Sequence, residues 1–313
     1  VRRMCAVHLD ALFQAVSTYL PRYLVREELT DPRPGRVSGH FRQATIMFAD
    51  ISGFTAMSER LSRRGQEGAE KITHIVGDYF TTMLDVTGSQ GGDLLKFGGD
   101  ALLVAFFGDE HAIRACRAAV QMQQAIGRFR QVEAFGETFQ LKMTVGLGSG
   151  PLLTANLGTV TKMEYTVMGQ ALANMAHAED QAQGGEIFID PATNQAARGR
   201  IQTGEVREGC PLLRRVIDGP QATTSPGPEP LPGTGGASAV ERIAARVAHL
   251  DVLAPFLPPG LLDLLRFNPA GMSSRRRGEF RPVTVFFANF YGIDEIIQQL
   301  GPTRVAETTA ILN

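Results

Sequence analysis

The chain has 313 residues, room for one large or two ordinary domains, and 43% of them are apolar, enough for a buried core. Basic and acidic residues balance at 31 against 32 and tryptophan is absent, so nothing points to a nucleic-acid partner or a base-stacking surface. Cys5, Cys116 and Cys210 lack C-x-x-C spacing and read as reduced thiols of a cytoplasmic protein, and no run of about 18 apolar residues predicts a membrane span.

The first residue is Val, which reads as a fragment or an alternative start codon. The apolar stretch after Arg2-Arg3 is broken by His8 and Asp10 and has no small-residue cleavage site, which argues against a signal peptide. Within a lead-in of residues 1–40, Cys5–Leu29 places Leu9, Leu12, Phe13, Val16, Leu20, Leu24 and Leu29 at helical spacing, with Pro21 starting a new turn or a second helix. Ala44–Asp50 is a short apolar run that stops on a carboxylate and turns through Ser52 and Gly53 into a helical pattern. This is how a buried strand delivers a charge to a sheet edge.

Gly65–Val86 reads as an amphipathic helix. Leu94–Phe107 follows as two apolar runs joined by Gly98-Gly99-Asp100, a hairpin signal, because such turns need residues that tolerate positive φ. If the two strands are neighbours, Asp50 and Asp100 converge. Two close carboxylates repel unless a cation sits between them, which marks a candidate divalent-metal site. Glu110–Arg130 is an Ala-rich helix. Leu141–Leu147 and Leu152–Leu157 read as two strands around Gly148-Ser149-Gly150-Pro151, Tyr165–Gly169 as a short strand before the helix Gln170–Gln183, and Glu186–Asp190 as the last clear strand. The order βαββαβ predicts an α+β, ferredoxin-like two-layer sandwich with a mixed sheet over residues 41–218.

Residues 219–240 are rich in Pro, Gly, Ser and Thr and read as a linker, followed by a second helical lead-in, 241–279. Phe280–Gly292 then aligns without gaps on Phe41–Gly53, and Leu257-Pro258 echoes Leu20-Pro21. Residues 280–313 are therefore expected to begin a second, degenerate unit. It is expected to be truncated, since Thr309–Asn313 lies in a helical pattern without a stop signal. Asn289 stands where the first unit has Asp50, and a neutral amide holds a divalent ion poorly.

The segments F-A-D-I-S-G-F-T (Phe48–Thr55) and F-G-G-D (Phe97–Asp100) resemble the two metal-aspartate motifs of the class III nucleotidyl cyclases, over roughly Phe41–Asp218 and again from Phe280. The resemblance implies that family's fold and an adenylyl cyclase half acting on ATP. Two Mg²⁺ ions, or Mn²⁺, would be held by Asp50, Asp100 and the backbone at Ile51. Ser52, Gly53, Phe54 and Thr55 would cradle the β- and γ-phosphates at a helix start. Lys96 and Thr166 match the family's purine pair, in its adenine-type form. Where the family carries its transition-state Asn and Arg stand Ala173 and His177; Asn174 lies one place off, about 100° around the helix. Thr144 replaces a phosphate-binding basic residue, for which Lys142 is a candidate substitute on the same strand face.

This uneven retention is most like the first half of the tandem soluble, bicarbonate-responsive adenylyl cyclases. It implies a second cyclase domain in cis, or a dimer partner, completing one catalytic interface. A degenerate interface with Lys96, Thr166, His177 and Asn289 would be free to bind a regulator such as bicarbonate. Two alternatives stand beside it. Asp50 and Asp100 can serve only as helix cap and turn residue in a catalytically silent nucleotide- or bicarbonate-sensing dimerisation module. A diguanylate cyclase is disfavoured, because Ala101 and Leu102 follow Gly98-Gly99-Asp100 where acidic and aromatic residues are required. No G-x-x-x-x-G-K-[ST] occurs, which excludes a P-loop site within this sequence.

Overall fold

A computed structural model describes residues 2–217, 238–267, 284, 291–301 and 304–313. The linker 219–240, up to residue 237, lies outside the described residues, as do Asn289 and most of Phe280–Gly292.

Two helices, α1 (Arg2–Ser17) and α2 (Arg22–Thr30), open the chain, separated at Pro21, which has no N–H to continue a helix. Strand β1 (Ser38–Ser52) follows, longer than the apolar run alone predicts because its polar first half still pairs. Next come α3 (Phe54–Ser62), α4 (Gln66–Ser89), the hairpin β2 (Asp93–Gly98) and β3 (Ala101–Phe107), and α5 (His111–Ala125). A small separate hairpin, β4 (Val132–Ala134) and β5 (Glu137–Phe139), leads into β6 (Lys142–Thr159), β7 (Lys162–Met168) and α6 (Gln170–Glu179). Strand β8 (Ile187–Ile189), α7 (Pro191–Ala196), and strands β9 (Ile201–Arg207) and β10 (Cys210–Val216) close the first unit.

Among the described residues these strands form an eight-stranded sheet in the order β2-β3-β1-β6-β8-β10-β9, with β7 also paired to β6. Every pairing is antiparallel except β6 with β8. Alternation sends Met47, Ala49 and Ile51 of β1 into one core with Tyr79 and Met83 of α4 and Cys116 and Met122 of α5. Ala44 and Ile46 bury against Ala171 and Met175 of α6 on the other face.

The two strands expected around Gly148–Pro151 are one continuous strand, β6. Its glycines serve helix packing rather than a turn: a Cβ on Gly148 would lie 2.1 Å from the Met175 nitrogen, and one on Gly146 would lie 2.5 Å from the Glu179 Cβ. Pro151 falls in the gap between the stretches of β6 that pair with β8 and with β7, where it interrupts neither pairing. The C-terminal hairpin β9–β10 extends the sheet past Glu186–Asp190. Its first strand, IQTGEVR, is too polar and exposed to announce itself by alternation.

Past the linker, α8 (Ala239–Leu253) and α9 (Pro259–Phe267) pack onto the first lead-in, so that Phe13, Val16 and Val25 share a core with Leu250, Leu253 and Leu265. Helices α10 (Ile293–Leu300) and α11 (Val305–Leu312) lie on β1 and β6, where Ile297 buries with Leu153 and Ala155. Gly292 caps α10 at φ 87°, ψ −1°, the same left-handed turn that Gly53 makes before α3 at φ 94°, ψ −14°. The sequence repeat thus has a backbone counterpart.

Candidate active site

The site begins where β1 leaves the core. Ile51 points inward and is buried, and Asp50, half-buried, stands in register with Thr144 of β6. The chain then turns through Gly53, where glycine is required twice over: φ is positive, and a Cβ would sit 2.3 Å from the Gln140 carbonyl oxygen. Helix α3 starts immediately after, with no side-chain cap. The N–H groups of its first turn are therefore without side-chain acceptors, beside Ser52, Phe54 and Thr55.

The second carboxylate arrives on the β2–β3 turn. Gly98 pairs with Ala101, Gly99 takes φ +72°, and Asp100 sits at the tip. Because β3 is the neighbour of β1, the tip lies beside the end of β1. Burial first, and then the charge of Asp100, raise the Asp50 carboxyl above its ordinary value. Tyr79 of α4, which nothing in the amphipathic pattern singles out, lies beside both. Burial, then Asp50 and then Asp100, push its phenol upward, and with Ile51, Phe54, Gly99 and Asp100 it lines a small cavity.

Among the described residues no lysine or arginine pairs with Asp50 or Asp100, and no group of three or more His, Cys, Asp or Glu is placed to hold a metal. Two neighbouring, uncompensated carboxylates with the Ile51 carbonyl beside them are an oxygen donor set of the kind a hard divalent cation takes, not a zinc site.

Lys142 pairs with Ser52 across β1 and β6, its stem over Gly184 and its exposed ammonium without an ion-pair partner among the described residues. Thr144, in contrast, donates its hydroxyl to Glu179 of α6 at 2.8 Å and so is already engaged. Glu179 itself went unnoticed in the sequence, since nothing in the pattern of α6 singles it out.

The other expected set stays apart. Lys96 lies on the edge strand β2, Thr166 on β7 beyond β6, and His177 on α6 with Nε2 3.0 Å from the Glu208 carbonyl oxygen. Among the described residues no hydrogen bond or ion pair joins these three to one another or to Asp50. Asn289 lies outside the described residues. Asn174 is fully employed: its amide donates to Asp190 Oδ2 at 2.8 Å and to the Ser149 carbonyl at 3.2 Å.

Comparison with known proteins bears on the family and the fold. The family described as the adenylate and guanylate cyclase catalytic domain matches residues 37–209. Adenylate cyclase type 10 of Rattus norvegicus is 27% identical over 185 residues, 58% of this chain but 11% of that protein. An adenylate cyclase of Anabaena cylindrica is 32% identical over 135 residues, 42% of this chain and 26% of that protein. The chain thus matches only a small part of these relatives' length. Among solved structures, a bacterial light-regulated adenylyl cyclase shares the fold, with a TM-score of 0.51 at 18% identity over 75% of this chain and 64% of that one. No described helix is long and apolar enough to cross a membrane. By the match over residues 37–209, the chain belongs to the adenylate and guanylate cyclase catalytic domain family.

Proposed function

We propose that residues 41–218 are the metal-bearing half of an adenylate cyclase, which turns ATP into cyclic AMP and pyrophosphate at an interface with a second cyclase unit. The observation that carries this reading is the convergence of Asp50 and Asp100 beside the uncapped start of α3. The reaction is an in-line attack of the ribose 3′-hydroxyl on the α-phosphorus, with pyrophosphate leaving.

Divalent ions, when bound, supply charge neutralisation of the triphosphate and a lowered pKa for the attacking hydroxyl. Asp50, Asp100 and the Ile51 carbonyl are the groups that hold them. The backbone from Ser52 to Thr55 receives the β- and γ-phosphates, and Lys142 adds a cation alongside. Lys96, on β2, and Thr166, on β7, share no hydrogen bond or ion pair with this set among the described residues and are assigned to a different interface, and the names of the relatives favour ATP over GTP. Ala173 has no hydrogen-bonding side chain, the His177 imidazole lies against the Glu208 carbonyl, and Asn174 is held by Asp190. The donors therefore come from the partner unit, in cis or from a dimer partner. The interface with Lys96, Thr166, His177 and Asn289 is left for a regulator such as bicarbonate.

The test is product formation from ATP and from GTP with Mg²⁺ or Mn²⁺, by a chain extended through a complete second unit. Cyclic AMP should form, and Asp50→Ala or Asp100→Ala should each abolish it without unfolding the protein. Activity surviving either substitution sinks the metal assignment. Nucleotide binding with no product from the unsubstituted protein favours the silent sensing module, which the locked Asn174 amide would then explain.

A further inference from the structure

The two lead-ins are themselves a repeat, and they pack on each other. With Leu20-Pro21 aligned on Leu257-Pro258, the buried positions Phe13, Val16 and Leu24 of the first fall on Leu250, Leu253 and Leu261 of the second. The helices run in parallel, since Asp10 meets Arg242 and Arg246 while Phe13, one turn later, meets His249.

The pseudo-symmetry is incomplete, with Leu12 on His249, Leu29 on Arg266 and Glu28 on Leu265, and around Asp10 the break carries paired charges. Leu9 corresponds to Arg246, Asp10 to Val247 and Cys5 to Arg242. The carboxylate of Asp10, 27% exposed, accepts from Arg246 Nε at 2.7 Å and also from Arg242. The Arg246 guanidinium, 7% exposed, lies over the Phe13 ring at 4.2 Å. In a like pairing, α1 against α1 of a second copy, Asp10 would face Cys5 and Leu9 instead. The same apolar seam would then hold two partly buried carboxylates without their arginine partners, a penalty on the wrong partner of the kind that sets specificity.

We infer that the α1–α2 face is a partner-selecting surface: it takes a helix–Pro–helix lead-in carrying two arginines one turn apart, and it rejects its own copy. Through Asp10 it pairs unlike cyclase halves and disfavours homodimers. The inference needs the tandem reading but no catalytic activity, so an inactive enzyme leaves it standing.

A protease site placed within residues 219–236 of the whole chain lets the two pieces be separated after folding, and their dissociation constant be measured. Asp10→Arg should weaken the association at least about tenfold, and adding Arg242→Asp and Arg246→Asp should restore it. An Asp10→Arg chain that holds its pieces as tightly as the original overturns the inference. So does a swapped chain that is folded by circular dichroism yet unrestored. Should the swapped chain not fold, Asp10→Leu decides. Its N-terminal piece should self-associate by light scattering where the original does not, and a monomer there overturns the inference equally.

Discussion

Glu28 shows burial outweighing the neighbouring charges in setting a titration. It is 2% exposed on α2 and accepts from the Asn156 amide at 2.6 Å, and burial raises its carboxyl above the ordinary value against the smaller opposing pull of Arg36 and Asn156. The folded chain thus holds a proton that the unfolded chain has released, so this group's contribution to stability falls as pH climbs upward from 4.5 through the raised value. Glu28→Gln keeps an oxygen for Asn156 and removes the charge. Its melting temperature at pH 7 should exceed that of the original chain, and the difference should vanish near pH 4; a lower melting temperature at pH 7 contradicts this. At the site, Lys142→Ala should raise KM for ATP roughly tenfold or more, by removing a charge-assisted phosphate contact, with a smaller effect on kcat. Steady-state kinetics on the extended chain measures it, and an unchanged KM removes Lys142 from the phosphate site. At this scale Asp50, Asp100 and Gly53 were legible in the sequence because each ends a recognisable run. Tyr79 and Glu179 were not, because their significance depends on which strand their helix crosses.

Among the elements, β6 carries the tightest fit. Its glycines let α6 lie against the strand, and a methyl at Gly148 would strike the helix backbone itself, which has no rotamer to move aside. Gly148→Ala should therefore destabilise the chain by about 3 kcal/mol, the upper end for overpacking, and denaturant melts would show it. A change below about 0.5 kcal/mol would mean that α6 has slack. The same glycines misled the strand reading: Gly-Ser-Gly-Pro looks like a turn when only local chemistry is weighed, whereas the requirement comes from a helix more than 20 residues later in the chain. The βαββ core, by contrast, was readable from apolar patterning, since β1 and β3 are buried on both faces as near-continuous apolar runs and α4 buries one face. Strand β9 was lost because an edge strand needs little apolar content to pair.

At the scale of the whole molecule, the fold divides its labour. The end of β1 and the β2–β3 turn gather the carboxylates; α8 and α9 pack on α1 and α2, and α10 and α11 on β1 and β6. The repeat was visible in the sequence, but that both lead-ins share one core was not, because contact between them crosses more than 200 residues. With Ala173 and His177 in place of the donors, the 313-residue chain alone should turn over ATP below about one per second, against enzyme-like rates for a chain carrying a complete second unit. Rapid turnover by the chain alone would contradict a dependence on the partner.

The central claim, that Asp50 and Asp100 form a divalent-cation site, is tested most directly by titrating Mn²⁺ into this chain and following the free ion by electron paramagnetic resonance. The account predicts saturable binding that is lost in both Asp50→Asn and Asp100→Asn, while each variant remains folded. Binding of the same strength in either variant would contradict it.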